Sequence, residues 1–317
     1  MSTDNSYTTE EIANLLRISK LTVYDLIKKG ELPAYRVGRQ MRVDASDLEA
    51  YKARSKGEFR QPPAAVETPP GQHPPLAAQA ATARDIIISG QDVSLDMLAS
   101  HLRSRDNAYR PLRSYVGSMN SLIAMYMGGA DIVSTHLYDG DTGEYNIRHV
   151  RSILSGHRYL IVNLLSRWAG FYVQAGNPHG IRDWTDLQKP GIRMVNREKG
   201  SGARTLIEEM LRNNGIRGCD LAGYEREEAS HLAVAGAVAR KEADVGIGIE
   251  KAASMVQVDF IPLVKERYDL VLLKKEENKQ LIAQVLDILR SESYQKELGA
   301  IGGYDLTDTG QILYETW

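Results

Sequence analysis

The chain has 317 residues, of which 25% are charged and 43% hydrophobic, a composition typical of a soluble globular protein with more than one folded unit. Its formal net charge of −2 excludes a chain that is basic throughout, so any surface for nucleic acid must be local. A single cysteine, Cys219, excludes an internal disulfide and a thiolate metal cluster. With no signal-peptide pattern and no apolar run near the ~20 residues that span a bilayer, we expect a cytoplasmic protein without membrane contact or a bound metal cation.

The first 30 residues predict two short helices separated by a turn. Thr8 is placed to cap the first helix, and Glu11, three residues later, completes a capping box. Residues 17–19 form the turn, and a second helix over residues 20–29 is ended by Gly30. Helix, short turn and helix together predict a helix-turn-helix unit.

A small hairpin follows, with strands at residues 34–37 and 41–43, and a third helix begins near Asp44. Between Arg17 and Arg42 there are seven lysines and arginines against two acidic residues. A basic helix face is usually only solvated, but such a local excess can also contact DNA phosphates. Combined with the two helices and the arginines of the hairpin, it favours DNA binding.

The stretch YTTEEIANLLRISKLTVYDLIKKGELPAYRVGRQMRVDASDLEAY, residues 7–51, resembles the winged helix-turn-helix domains of the excisionase and MerR families. The opening TTEEIA, the TVY and LPA motifs, the R-V-G-R-x-x-R wing and the closing DLEAY carry this resemblance. It implies that the partner is a double-stranded DNA operator. The residues that it places near the major groove or the flanking phosphates are Ser19, Lys20, Thr22, Tyr24, Arg36, Arg39 and Arg42.

Proline marks a seam between two parts of the chain. Residues 58–84 hold six of the eleven prolines, in three Pro-Pro pairs among Ala, Gln and Thr. The segment is either an extended linker or a surface loop within one domain, and unstructured loops of this length are uncommon in compact domains. We therefore predict a DNA-binding domain at residues 1–57, a linker at 58–84 and a ligand domain at 85–317.

After the seam, strands and helices alternate. Residues 86–90 predict a strand that enters a glycine loop, and leucines within residues 95–102 mark a helix. Residues 113–118 and a helix near 120–127 repeat this order, and residues 130–136 form a further strand. The succession predicts an α/β fold, a parallel sheet with helices on both faces. Ligands bind beyond the carboxyl ends of the strands of such sheets.

Two long apolar runs, residues 159–172 and 260–272, predict strands that cross between two lobes. The first lobe then comprises about residues 85–168 and 265–317, and the second about 173–260. A cleft between two such lobes is a place where small ligands are clamped.

The stretch NREKGSGARTL, residues 196–206, places Gly-Ser-Gly between a short apolar strand and an amphipathic helix. The backbone N–H groups of such a helix start attract an anion, although the glycines can also serve a simple turn. The loop after residue 116, GSMNSL, offers the same small hydroxyl residues before a helix. Both loops predict a site made of hydrogen-bond donors.

The sequence does not indicate an enzyme. No carboxylate pair is placed for acid–base chemistry, and no nucleophile elbow is present. His231 is either a general base or, more often for a lone histidine at a helix start, a cap or packed neighbour. The GIGIE stretch, Gly246 to Glu250, lacks the third glycine and the lysine of nucleotide loops and predicts the end of a buried strand.

Residues 85–317 resemble the periplasmic-binding-protein-like ligand domains that are fused to helix-turn-helix units in bacterial regulators of molybdenum and tungsten metabolism. The motifs are GSMNSLIAMYMGGADIVSTHLYDGDTGEYN, VNREKGSGARTLIEEML, GYEREEASHLAVAGAVARKEADVGIGIEKAA and ERYDLVL. The resemblance implies a two-lobed type II fold that binds tungstate or molybdate without a cofactor.

Within these motifs, NREKGSGAR is similar to the oxyanion loop of tungstate-binding proteins, Ser-Arg-Gly-Asp-Asp-Ser-Gly-Thr. Arg197 takes the arginine position, Ser201 the serine position, and Ala203 stands where that family has a threonine hydroxyl. GSMNSL is similar to the family's Gly-Thr-Gly-Gln-Ala-Leu. The candidate ligand-binding residues are Ser89, Ser118, Asn120, Ser121, His136, Asn196, Arg197, Ser201, Gly202, Ala203 and Tyr268.

The first hypothesis is a one-component transcription regulator in which oxyanion binding closes the lobes and re-spaces two DNA-binding domains of a homodimer. A second is an excisionase-like architectural factor whose C-terminal domain binds a small organic ligand or none. A third is a molybdenum-cofactor assembly protein.

Overall fold

The computed structural model describes residues 6–16, 20–28, 32–37, 40–55, 83–106 and 108–317. The chain divides into two compact units, Met1–Pro74 and Pro75–Trp317. The predicted turn at residues 17–19, Gly30, and all of the predicted linker except residues 83 and 84 lie outside the described residues. The predicted domain limits therefore stay predictions. No helix in the described ranges is long and apolar enough to cross a membrane.

The first unit follows the predicted order, with one strand added before it. Its sheet is antiparallel, in the order β1-β3-β2. Glu11 accepts a hydrogen bond from the Thr8 backbone N–H at 2.8 Å, and the Thr8 hydroxyl accepts one from the Glu11 N–H at 3.3 Å, which confirms the capping box. The elements are β1 Ser6–Thr8, α1 Thr9–Leu16, α2 Lys20–Lys28, β2 Tyr35–Val37, β3 Gln40–Asp44 and α3 Ala45–Ser55.

The second unit alternates strands and helices. Its elements are β4 Arg84–Ser89, α4 Ser94–Asp106, β5 Tyr109–Ser114, α5 Ser118–Tyr126, β6 Ile132–Thr135, α6 Ile147–Ile153, β7 Tyr159–Val173, β8 Met194–Arg197, α7 Gly202–Asn213, β9 Glu227–Glu228, α8 His231–Ala239, β10 Val245–Ile249, α9 Glu250–Val256, β11 Asp259–Leu273, α10 Lys279–Arg290, α11 Glu292–Ile301, β12 Tyr304–Asp305 and β13 Ile312–Glu315. Short 3-10 helices lie at Trp184–Gln188, Gly218–Asp220 and Glu276–Asn278.

One sheet of ten strands runs through the second unit, in the order β5-β4-β6-β11-β7-β10-β8-β9, with β12 and β13 also paired to β7. Strands β5, β4 and β6 are parallel, and so are β10, β8 and β9. We call the part built on the first three strands the first lobe and the part built on the other three the second lobe. The predicted α/β class is confirmed, but the sheet is mixed, because β7 and β11 run antiparallel through both lobes.

Helices cover both faces of the sheet. In the first lobe, α4, α10 and α11 pack on one face and α5 and α6 on the other, because side chains alternate between the faces along each strand. In the second lobe, α7 packs on one face and α8 and α9 on the other. Strand β5 begins at Tyr109, four residues before the predicted strand-to-loop stretch at residues 113–118. Its Pro111, a residue that sheets tolerate at their edges, obscured the strand pattern.

Candidate ligand-binding site

A small cavity of about 50 Å³ lies between the two lobes. Since one water molecule needs roughly 10–15 Å³ of such space, the cavity holds a few waters or one small ion. Five of its lining residues were predicted from the sequence, namely Ser118, His136, Ser201, Gly202 and Tyr268. Others were not, among them Asp92, Ser134, Arg167 and His231.

Two helix N-termini, one from each lobe, converge on this cavity. Helix α5 begins at Ser118 and helix α7 at Gly202, each after a residue with extended backbone. The backbone N–H of Met119 in α5 donates a hydrogen bond to the Gly200 carbonyl at 3.0 Å, which joins the two helix starts directly. First-turn N–H groups have no acceptor within their own helix, and the helix dipole is positive there. The cavity therefore faces two positive helix ends.

Glycine makes this close approach possible. A Cβ atom on Gly117 would lie 2.8 Å from the Gly200 carbonyl oxygen and 2.9 Å from the Ser201 Cα. A Cβ atom on Gly202 would lie 2.6 Å from the His136 ring. Neither distance is tolerated without movement, so any larger residue would push the lobes apart.

Arg167 is the cationic side chain of the cavity wall. It lies in the middle of β7 and is 4% exposed. Its Nε donates to Glu266 at 2.7 Å and its Nη1 to Asp92 at 2.5 Å, while the guanidinium lies 4.4 Å from the centre of the Tyr268 ring. Burial opposes the charge, but the two carboxylates outweigh burial and raise the pKa of Arg167.

Two histidines complete the wall. His136 follows β6, and its Nδ1 lies 2.8 Å from a carboxylate oxygen of Glu266. Burial opposes ionisation of Glu266, yet the neighbouring His136 and Arg167 lower its pKa to about 2. His231 is the first residue of α8, and the hydroxyl of Ser230, not His231, caps that helix by accepting from the Ala233 N–H at 3.1 Å.

His231 differs from His136 in its charged neighbours. The Nδ1 atoms of both rings are shielded from solvent and make no hydrogen bond among the described residues, but that of His136 lies beside the Glu266 carboxylate. Burial lowers the pKa of His231 well below its usual range, and the nearby charges of Arg197, Arg167 and His136 lower it further. Gly248 makes room for the ring, since a Cβ atom there would lie 2.6 Å from Nδ1.

The GIGIE stretch ends the buried strand β10, as predicted.

The predicted serines fall into two groups. Ser118 and Ser201 line the cavity, but both hydroxyls have protein partners. Ser118 Oγ accepts from the His136 N–H at 3.3 Å. Ser201 Oγ donates to the Glu198 carbonyl at 2.9 Å and caps α7 by accepting from the Arg204 N–H at 3.2 Å. The hydroxyls of Ser89 and Ser121 form a hydrogen bond to each other at 2.9 Å, and neither residue lines the cavity.

The remaining predicted residues support the glycine loop from outside the cavity. The side-chain amide of Asn120 packs against Gly200. A Cβ atom added to Gly200 would lie 3.3 Å from that amide. Asn196 accepts from the Arg197 N–H at 2.9 Å and donates to the Tyr224 carbonyl at 3.1 Å. Ala203 is buried in the first turn of α7.

Arg197 does not line the cavity. It is 1% exposed, and its Nε and Nη2 both donate to the Glu198 carboxylate at 2.8 Å. Nη2 also donates to the Gln91 side chain of the first lobe at 3.0 Å, and Nε to the Glu228 carbonyl at 3.2 Å. The guanidinium thus bridges the two lobes beside the cavity.

A further bridge joins the lobes at the other end of α7. The Gly140 N–H donates to Glu209 at 3.0 Å, and the Asn213 amide donates to the Gly140 carbonyl at 2.8 Å. Asp139, Asp141 and Glu209 lie close enough together to hold a cation. However, Arg148 pairs with both aspartates and Arg212 pairs with Asp141 and Glu209. These residues form an ion-paired latch across the lobes.

Outside the cavity, the cleft widens into a groove of about 380 Å³ that shares Gln91, Asp92, His231 and Ile249 with it. This groove is mostly apolar. Its exposed side chains come from both lobes and include Val93, Tyr115, Leu232 and Met255.

The first unit presents most of the predicted DNA-binding residues at its surface. Lys20 and Tyr24, one helical turn apart on α2, are exposed, as are Thr22 and Arg36. Lys20 also pairs with Glu10 at 3.1 Å. Arg42 is half-buried and donates to the Ser6 hydroxyl at 3.0 Å, so it fastens β1 to β3. Ser19 and Arg39 lie outside the described residues.

Sequence reasoning missed Arg167, Glu266 and Asp92, although a signal for the first two was present. Arg167 interrupts the apolar run that predicted β7, and a charge inside a buried strand requires a partner. Glu266 stands directly opposite Arg167 in the register of β7 and β11. Asp92 carries no comparable signal because it reaches Arg167 from a separate loop.

Comparisons with known proteins agree with this architecture. Residues 6–56 match a family model described as a helix-turn-helix domain, and residues 99–290 match one described as a PBP superfamily domain. The uncharacterized protein YvgK of Bacillus subtilis is 50% identical over 318 residues, covering 100% of both chains.

Two solved structures share the fold. A phosphate ABC transporter substrate-binding protein of Clostridium perfringens, with phosphate bound, aligns with a TM-score of 0.53 at 16% identity, over 70% of this chain and 99% of its own. A mutant of OxyR from Corynebacterium glutamicum aligns with a TM-score of 0.51 at 13% identity, over 93% and 89%. At these identities the two structures indicate the fold alone.

Proposed function

We propose, from the premise that this chain belongs to the PBP superfamily and carries a helix-turn-helix domain before its ligand-binding unit, that it is a transcription regulator controlled by a small tetrahedral oxyanion. The helix-turn-helix domain binds double-stranded DNA, and the anion binds between the two lobes. Tungstate and molybdate are the first candidates for the anion. The proposal includes no catalytic step and no cofactor.

The observation that carries the proposal is the convergence of the α5 and α7 N-termini on one small cavity. A fully deprotonated tetrahedral oxyanion accepts hydrogen bonds and cannot donate them, so it needs a shell of donors. Helix N-termini supply such donors with a favourable dipole. The phosphate that the Clostridium perfringens protein of this fold contains supports an oxyanion as the ligand class.

Control of DNA binding requires that the anion favour one arrangement of the protein over another. An anion held by α5 and α7 at once contacts both lobes and therefore stabilises the closed arrangement. The latch at Gly140, Glu209 and Asn213 acts on the same helix α7 and favours the same arrangement. In a homodimer, closure of both subunits would set the spacing of the two DNA-binding domains.

Calorimetric titration of the full-length protein with tungstate, molybdate, sulfate and phosphate tests the anion. We expect tungstate or molybdate to bind at least about tenfold more tightly than sulfate, a difference of about 1.4 kcal/mol. If none of the four anions binds, the oxyanion proposal fails.

Selection of bound duplexes from a random-sequence pool, with and without the tightest-binding anion, tests the regulator. We expect one half-site sequence to be enriched and its affinity to change when the anion is present, and a sedimentation measurement should give a dimer. Enrichment of a half-site whose affinity is the same with and without the anion would instead support an architectural DNA-binding factor.

The apolar groove beside the cavity favours a second candidate ligand, an organic anion whose apolar part lies against Tyr115, Leu232 and Met255. Titration with phenylphosphonate and with phosphate separates the two candidates. Tighter binding of phenylphosphonate favours the organic anion, and equal or weaker binding favours the inorganic one.

A further inference from the structure

Among the residues that the structure describes, the fixed groups of the cavity carry no excess of positive charge. The guanidinium of Arg167 faces two carboxylates, Asp92 and Glu266. Even a protonated His136 beside Glu266 would bring these four groups only to neutrality. A dianion that enters such a site must be compensated, because burying an unpaired charge is strongly unfavourable. The helix dipoles contribute partial charge, but a further cation would be needed for full compensation.

His231 is the side chain that can supply this cation. It lines the cavity, and its shielded Nδ1 has no hydrogen-bond partner among the described residues. The ring is held in place by α8, with the His136 ring centre 6.4 Å away and Gly248 packed against it. A histidine ring that lines a cavity and has an unpartnered nitrogen can change its protonation state when a charged ligand enters.

Burial, and after it the groups that face His231, favour the neutral ring when no ligand is bound. Arg167 approaches from β7, Arg197 from β8 and His136 from the end of β6, and all three disfavour a further positive charge. The hydroxyl of Tyr172, also near Gly248, is turned to the Ile249 carbonyl at 2.8 Å. Asp92 and Glu266, the acidic groups of the site, are paired with Arg167. An anion in the cavity would reverse this balance.

We infer that binding of a dianion in the cavity is coupled to protonation of His231, which then donates a hydrogen bond to the bound anion. The inference rests on the proposed function, because only an anionic ligand favours the protonated ring. His231 is therefore a ligand-binding residue and makes the response of the protein sensitive to pH.

The sign of the pH dependence follows from proton uptake. The bound state holds one more proton than the free state, so affinity is highest at low pH and falls as the pH rises. Between the pKa of His231 in the free protein and its higher pKa in the complex, affinity falls by up to about tenfold per pH unit. Below the free-state pKa, affinity no longer changes through this group.

Calorimetric titration of the full-length protein with molybdate in two buffers of different ionisation enthalpy, near neutral pH, measures the proton uptake. Molybdate and tungstate are fully deprotonated there, so any proton taken up goes to the protein. We expect the observed heats to differ by the difference between the ionisation enthalpies of the two buffers, multiplied by as much as one proton per bound anion. Equal heats in the two buffers, with clear binding in both, would overturn the inference and leave the proposed function standing.

The variant His231→Gln keeps a polar side chain of similar reach that cannot titrate. We expect it to lose the proton uptake, to bind molybdate about tenfold or more weakly at pH ~6 and to show a flat pH profile. His157→Gln is the matched control, because His157 lies against Tyr126 away from the cavity and should behave as the parent. Proton uptake that persists in His231→Gln overturns the assignment. Absence of binding by every anion would contradict the proposed function, and this inference with it.

Discussion

Two buried arginines near the cavity, Arg197 and Arg167, differ in the sequence that surrounds them. Arg197 is the last residue of the short strand β8, directly before the glycine loop where an anion ligand is expected, and Arg167 lies in the middle of the long apolar strand β7. In the structure Arg197 pairs with Glu198 and Gln91 beside the cavity, whereas Arg167 lies in the cavity wall. Proximity to a glycine loop in sequence therefore does not aim a side chain at the ligand. In this chain the charge in the middle of the long apolar strand β7 is the better indication of the cavity wall.

The partners of the two arginines also differ in their access to water. The carboxylates beside Arg167, Asp92 and Glu266, are 4% and 1% exposed, whereas that of Glu198, beside Arg197, is 27% exposed. A carboxylate that loses its partner can be hydrated only where water reaches it. The two sites should therefore respond very differently to the same substitution.

The largest effect is expected for Arg167→Ala. It leaves two carboxylates buried without their partner, and breaking a buried pair in this way costs about 3–5 kcal/mol of the free energy of unfolding. Arg197→Ala should cost no more than about 2 kcal/mol, since Glu198 can be hydrated. Denaturant unfolding followed by tryptophan fluorescence measures both losses, because Trp168, Trp184 and Trp317 all lie in the second unit. Equal losses for the two variants would contradict the comparison.

Gly117→Ala should have the next largest effect. The added Cβ meets the Gly200 carbonyl and Ser201, so the starts of α5 and α7 must separate. Overpacking of about 1–3 kcal/mol corresponds to a loss of roughly fivefold to 150-fold in anion affinity. Gly129→Ala is the control, because its Cβ would have no atom nearer than 3.4 Å. Unchanged affinity in Gly117→Ala would show that the two helix ends do not hold the ligand together.

Arg197→Ala should weaken anion binding by less, up to about tenfold, because the guanidinium stabilises closure through Gln91 and does not contact the anion. Gln91→Ala should produce the same loss, and the double variant should be no weaker than either single variant. Calorimetric titration of the two single variants and the double variant measures the anion affinities of this double-mutant cycle. Additive losses would instead mean that Arg197 contacts the anion directly, as the resemblance to tungstate-binding proteins implies.

The smallest effect on affinity is expected for Ser201→Ala. The hydroxyl already donates to Glu198 and caps α7, so its loss should lower the free energy of unfolding by about 1 kcal/mol. Anion affinity should change by less than about threefold, since the backbone N–H groups remain. An affinity loss as large as that of Gly117→Ala would identify the serine hydroxyl as a ligand.

Local features were predictable from the sequence because their causes lie within a few residues. The capping box of Thr8 and Glu11 depends on a spacing of three residues, and it formed as predicted. The apolar runs that became β7 and β11, and the glycine loop before α7, were recognisable for the same reason. The strand that enters the predicted strand-to-loop stretch at residues 113–118 begins earlier, at Tyr109, because Pro111 interrupts the local pattern of this edge strand.

The amino-acid sequence by itself thus determined the alternation of strands and helices, the helix-turn-helix pattern and the position of both candidate loops. Tertiary structure alone decided that the starts of α5 and α7, more than 80 residues apart, share one cavity. It also decided that Arg167 and His231 face that cavity while Arg197 is paired beside it. The physical reason is that a buried charged side chain takes the orientation in which it is hydrogen-bonded to its partners. Those partners, Glu266 and Asp92 for Arg167 and Gln91 for Arg197, are distant in the sequence and come within hydrogen-bond distance only in the folded chain.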